Sequence, residues 1–348
     1  MFFLSLIIIL NLFVANIDLD DPVQLSTEEL KLDGILMPTD IVIIDDFLVI
    51  KDDYQEFKIQ IYDIKSQKKI GKFGSNGRGP GEYLSIILQK SLKSGHLEIV
   101  DVTNKKIDIV NLECIISNPA LKSINTCISK TVNIPSNRHS LMIDTTTVVN
   151  HSIQHDGVVQ LSNFDGKFTN VILKPLSILI DKYQIPIRAS MSMTGELVSS
   201  YNREYFAYFA DSFDFSVFYS YKNGHVSQIH RKQYEYLPEF NVVEYGGNSA
   251  IIEPAENYRS AYRSPDYTSD YYIVLYSGQS ATDVNMDGNA DWRSFTNEIH
   301  VYNLLGEKIK VYQLDTNVYL ITVSLDGETL IGVTFDKELN PTIIRALL

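Results

Sequence analysis

The stretch Asp283 to Asp291 reads DVNMDGNAD and sets side-chain oxygens at Asp283, Asn285, Asp287 and Asp291, with Gly288 at the bend. Hard oxygens at alternate positions can converge on one cation while the glycine lets the chain turn, which is the first part of a calcium loop. Position twelve is Ser294, so the bidentate Glu that completes such a loop is missing, and Glu298 or a backbone carbonyl would have to substitute. These residues imply a structural calcium; the competing reading is an acidic, Asn-containing hairpin tip.

Other residues offer chemistry of a different kind. Gly74, Gly77, Gly79 and Gly81 surround Pro80 in a loop able to take positive φ along a tightly specified path. It is not a phosphate cradle, because no Lys-Ser/Thr follows and Pro80 lacks an amide donor. Arg78 and Glu82 are expected to brace this turn by pairing with backbone or with each other, or else to form a binding element. Fourteen of the 21 tyrosines lie between Tyr201 and Tyr276. Among them Tyr258, Arg259, Tyr262 and Arg263 could build a platform for a sugar or peptide, since a Tyr ring offers apolar area with a polar tip; strands are also rich in Tyr for structural reasons. His151 and His155 have the spacing of metal ligands on a helix, but Asn150 and Asp156-Gly157 argue for a loop. No Gly-x-Ser-x-Gly elbow occurs and no Ser, His and acid stand out as a triad, so no catalytic residue is nominated.

The elements that must position these residues are strands. Four fall between Asp40 and Phe73: Asp40 to Ile44, Phe47 to Lys51, Phe57 to Ile64 and Lys69 to Phe73. A second course contains Leu97 to Val102, Lys106 to Asn111 and Ser129 to Ile134, with Tyr83 to Leu92 readable as an inner strand or as a short helix. The third runs from Ser140 to Leu173 through Asp165-Gly166, and the fourth from Gly195 to Arg231 through Asn223-Gly224, both strong hairpin signals. The fifth takes in Tyr271 to Tyr276, Glu298 to Asn303 and Lys308 to Leu314; the sixth runs from Val318 to Leu347 through Asp326-Gly327. Six courses of three or four strands predict an all-β, six-bladed β-propeller. Val23 to Leu32 is expected to pair with the last course and close the ring.

Met1 to Ala15 is apolar but shorter than the ~20 residues of a membrane span, and has the length of a signal-peptide core. Residues 1–20 are read as a signal peptide or N-terminal apolar leader, and 21–348 as one β-propeller domain. No Lys or Arg precedes the run and Val14-Ala15-Asn16 is a poor cleavage site, so an uncleaved anchor or a buried terminal strand is the alternative. An exported location permits Cys114 and Cys127 to pair as a disulfide. The net charge of −13 repels nucleic acid and anionic lipid, which sets both aside as partners.

The segment IQIYDIKSQKKIGKFGSNGRGPGEY, followed by SDYYIVLYSGQ at Ser269 to Gln279 and IHVYNLLGEKIKVYQLD at Ile299 to Asp315, resembles the TolB-like six-bladed β-propeller proteins exported by Bacteroidota. The resemblance spans about Asp33 to Leu348, and Gly77 to Glu82 is its most specific part. It implies a fold and a location in the periplasm, the cell envelope or outside the cell, and it transfers no catalytic residue. Many members carry a lipobox that is absent here. The residues therefore point to a non-catalytic scaffold that binds a protein or glycan through loops on one face; the alternative is a hydrolase or lyase with its site in the central channel.

Overall fold

The computed structural model describes residues 21–118, 124–135, 138–152, 157–183, 186–245, 249–255, 258–280, 295–336 and 338–348. Six antiparallel sheets, the blades, follow one another around an axis. Blade one is Pro38–Ile44, Phe47–Asp52, Ile59–Asp63 and Lys68–Phe73. Blade two is Ile86–Lys90, His96–Asp101, Lys106–Asn111 and Ile128–Asn133. Blade three is His139–Met142, Thr147–His151, Val159–Asn163 and Phe168–Leu173, and blade four is Gly195–Ser199, Tyr205–Ala210, Ser216–Lys222 and His225–Arg231. Blade five is Tyr262–Tyr267, Tyr271–Tyr276, Thr296–Asn303 and Lys308–Val318. Blade six is Leu320–Val323, Thr329–Phe335 and Pro341–Leu347. The first strand of each blade lines the central bore.

The ring closes through the N-terminal segment. Thr27–Leu30 is the fourth strand of blade six, antiparallel to Pro341–Leu347, with Thr27 opposite Ala346. Val23–Leu25 adds a fifth strand to blade five, parallel to Lys308–Val318. One short segment thus ties two blades together. Asp315 accepts hydrogen bonds from the Thr27 hydroxyl at 2.7 Å and the Thr27 amide at 3.1 Å, where the chain crosses between them.

Apolar burial is divided among the blade interfaces. Each neighbouring pair shares its own cluster: Val49 and Ile61 meet Leu97 between blades one and two, Val100 meets Val148 between two and three, and Val149 meets Phe206 between three and four. Phe209 meets Val274, Leu275 meets Val323, and Leu48 meets Val333 at the remaining three interfaces. These side chains alternate along central strands, so a one-residue slip would swap the sets packed against the two neighbouring blades. Six sealed interfaces make the disc rigid enough to present loops.

Tyr83 to Leu92 contains the strand Ile86–Lys90, not a helix, because Leu88 and Lys90 face inward with a period of two. The first strand of blade five, Tyr262–Tyr267, was not legible in the sequence, since Ser264-Pro265 sits inside it. Its ladder shifts between Arg263 and Asp266, Ser264 has φ +51°, and the proline falls in the resulting bulge, where no ladder amide is needed. His151 ends the second strand of blade three instead of standing in a loop. At Asn223-Gly224 both residues have positive φ, 52° and 79°, the geometry of a two-residue hairpin turn.

Candidate functional site: a closed bore and a bowl at its mouth

In the upper bore, side chains from the first strands converge on a cavity of about 70 Å³ that touches Asp40, Gln89, His139, Glu196 and Ser264. Asp40 accepts from the amides of Leu88 at 2.7 Å and Ile41 at 2.9 Å. Burial still lifts its carboxyl to about 7, against the pull of those amides and of Lys51. His139 Nδ1 accepts the Leu197 amide at 3.1 Å, and Nε2 meets the Gln89 side chain. A neutral imidazole has one acceptor, and the backbone amide can only donate, so the proton sits on Nε2. Burial lowers His139 to about 4 and keeps it neutral. Glu196 is pushed up by burial and pulled back by Arg263, and its Oε1 accepts the Ser264 amide at 3.1 Å.

Below this cavity the bore is shut. Lys90, from blade two, puts Nζ 2.7 Å from both carboxylate oxygens of Asp266 on blade five, diametrically opposite. The same ammonium donates to the carbonyls of Tyr267 at 2.9 Å and Val323 at 2.6 Å. Asp266 also accepts the Thr322 hydroxyl and the Val323 amide. Arg203 hangs from the loop between the first two strands of blade four, at φ +59°, and crosses to blade two, where Nη2 donates to Glu98 at 2.8 Å and to the Lys90 carbonyl at 3.2 Å. Arg203 and Glu98 are 2% and 0% exposed. Burial raises Glu98, opposed by Arg203, and lowers Lys90, opposed by Asp266. Two ion pairs across the axis fill the lower bore with buried charge, Arg203 bonding through Nη2 alone.

Beneath that plug, on the face carrying the connections from first to second strands, the loops of blades one, two, four, five and six enclose a bowl of about 510 Å³. Its wall includes Asp45, Asp46, Lys93, Tyr201 and Asp326, and Lys90, His96 and Tyr267 line its floor. Tyr201 is 42% exposed. The volume lies within the ~300–1,000 Å³ usual for ligand pockets. None of these wall residues was singled out in the sequence, because their convergence depends on five loops far apart in the chain.

The glycine-rich loop is built around Glu82. Its carboxylate accepts the Gly79 amide at 2.8 Å and fills the space that a side chain at Gly77 would need, since a Cβ there would lie 2.0 Å from Oε2. Gly81, at φ +75°, packs on Ile124. Arg78 is exposed and makes no ion pair with Glu82. Between this loop, the edge strand Lys68–Phe73 and the helix Leu112–Ser117 lies a groove of about 520 Å³. Cys114 and Cys127 form a disulfide there, bracing the excursion between the third and fourth strands of blade two.

The tyrosine and arginine set is dispersed. Tyr262 is buried, donating to Asp214 at 2.7 Å and lying 2.9 Å from the Tyr302 hydroxyl, so it has no face for a ligand. Tyr258 packs edge-on against Phe240, Arg259 donates to the Gly278 carbonyl at 3.0 Å, and Arg263 lies over the Tyr319 ring at the opposite mouth of the bore. Asp283, Asn285, Asp287 and Asp291 lie outside the described residues, as do His155 and residues 1–20. Among the described residues no three His, Cys, Asp or Glu side chains are grouped to hold a metal, and no helix is long and apolar enough to cross a membrane.

The family model for TolB-like 6-blade propeller-like proteins matches residues 21–326. A protein of Bacteroides fragilis NCTC 9343 whose description infers export is similar in structure, at 11% identity and a TM-score of 0.53, over 93% of this chain and 94% of that one. A luciferin-regenerating enzyme is similar at 10% identity and a TM-score of 0.50, over 93% and 95%. At such identities the likeness concerns the fold alone. No curated protein matches the sequence.

Proposed function

The chain belongs to the TolB-like 6-blade propeller family, and on that premise we propose that it is an exported, non-catalytic interaction scaffold that recognises a protein or glycan of the cell envelope through the face bearing the bowl. The observation that carries this reading is the plugged bore. Lys90–Asp266 and Arg203–Glu98 occupy the place where a propeller enzyme would hold a substrate, and the remaining cavity of about 70 Å³ has room for a few waters only. The bowl, by contrast, is open, lined by apolar as well as charged side chains, and large enough for one or two residues of a peptide or a short sugar. The apolar leader and the disulfide support export, since disulfides persist in oxidising compartments.

The test is affinity purification of the tagged protein from its own cell envelope after mild crosslinking, comparing the native chain with Tyr201→Ala. A partner that copurifies with the native chain and is depleted with Tyr201→Ala supports the reading. A partner retained equally by both removes the bowl from it.

One observation favours the rival reading, a hydrolase or lyase using the bore: Asp40, at about 7, and neutral His139 face the same cavity. That reading requires a substrate to displace the Arg263–Tyr319 contact and enter from above. Turnover of any glycan or peptide that is abolished by Asp40→Asn would establish it in place of the scaffold.

A further inference from the structure

We propose that the bowl is a recognition pocket for a cationic side chain, an arginine or lysine carried on an extended peptide. This rests on the scaffold reading above and names the chemistry of its site. The charged side chains of the wall are mostly carboxylates. Asp45, Asp46 and Asp326 contribute three carboxylates against the single free ammonium of Lys93, because Lys90 in the floor is neutralised by Asp266. Asp45 and Asp46 are exposed at the rim, where no lysine or arginine pairs with them among the described residues.

A second, independent feature lies in the floor. His96 is 4% exposed, and its Nδ1 is 2.9 Å from the Ser94 carbonyl, which can only accept. Nδ1 therefore carries the proton, and Nε2 is left as a buried acceptor with no partner in the protein. A buried acceptor without a donor is destabilising, and a ligand N–H reaching the floor would satisfy it. Tyr201 stands at the rim with its ring exposed, where a guanidinium can lie against the aromatic face. The protein's charge of −13 adds a long-range field that draws cations towards it. An acidic peptide or an anionic sugar meets the opposite field and finds few donors.

The full chain is titrated by calorimetry with acetyl-Gly-Arg-Gly-amide, and in parallel with acetyl-Gly-Glu-Gly-amide and maltotriose. The arginine peptide is expected to bind, and the Asp45→Asn/Asp46→Asn double variant to weaken it roughly tenfold or more, while the other two probes give no heat. Asn accepts the positive φ of 50° at position 45, so this variant keeps the turn, and an unchanged melting temperature verifies it. In nitrogen-15 spectra, His96 Nε2 is expected to shift on adding the arginine peptide to the native chain. No binding up to 10 mM (about −3 kcal/mol), binding indifferent to the double variant, or binding of maltotriose in its place would each overturn the proposal. If the arginine peptide fails while an envelope partner is still lost with Tyr201→Ala, the ligand class is wrong and the scaffold reading stands; if both fail, the bowl is not the site.

Discussion

Lys90 Nζ and the Asp266 carboxylate meet at 2.7 Å on the axis of the disc, joining blades that face each other across the bore. Both side chains are largely buried, so each is the other's principal compensation for leaving water. Lys90→Met should destabilise the fold by about 3–5 kcal/mol by stranding a buried carboxylate. The double variant Lys90→Met/Asp266→Leu should recover much of that loss. Chemical denaturation of the four members of the cycle measures it, and additive losses would show that the two residues do not act as a pair.

Glu82 and Gly77 form a second such pair. Gly77→Ala places a methyl group in the volume of the Glu82 carboxylate and should cost about 1–3 kcal/mol. In a Glu82→Ala background the same substitution should cost less than half as much, because the obstructing group is gone. Arg78→Ala, by comparison, should change stability by less than about 0.5 kcal/mol, as expected of an exposed side chain without an ion pair.

The strap over blades five and six should matter to the whole ring. Deleting residues 21–30 removes one strand from each of those two sheets and leaves the edge of Pro341–Leu347 unpaired. The melting temperature should fall by on the order of 5 °C or more. An unchanged transition in a thermal scan would mean that the ring holds without closure.

The strand repeat and the ring closure could be read from the sequence because they follow from local alternation, from Asp-Gly and Asn-Gly turns, and from one apolar segment left over at the N-terminus. Tyr262–Tyr267 escaped because Pro265 within it mimics a turn, and only the bulge at Ser264 explains how a strand survives there. The six-residue core from Gly77 to Glu82 stands out as a motif, and the structure gives two of its glycines a steric role: Gly77 and Gly79 make room for the Glu82 carboxylate. The site was the least legible part. Arg203 and Glu98 are 105 positions apart and Lys90 and Asp266 are 176 apart, so no spacing rule links them. The tyrosine density in blades four and five reflects inter-blade packing around Phe209, Phe218 and Tyr302, not an exposed platform.

Asp40 gives a pH signature. Its folded value of about 7 lies above the ordinary carboxylate value of 3.8, so between these limits the folded state holds a proton that the unfolded state has lost. Its contribution to stability is therefore full at low pH and is lost as pH rises through 7. The stability of the native chain relative to Asp40→Asn should decline from pH 4 to pH 7 and then level off, as followed by urea denaturation at fixed ionic strength. A relative stability that rises over that window would contradict the assignment.

The central claim is that recognition occurs on the face below the plugged bore. It is tested most directly by placing a photo-crosslinking amino acid at Tyr201, on the wall of the bowl, and separately at Tyr54, which is 75% exposed in the connection between the second and third strands of blade one and so lies on the opposite face. Irradiated in intact cells, the Tyr201 position should yield a discrete adduct that the Tyr54 position does not. An adduct from Tyr54 with none from Tyr201 would contradict the account.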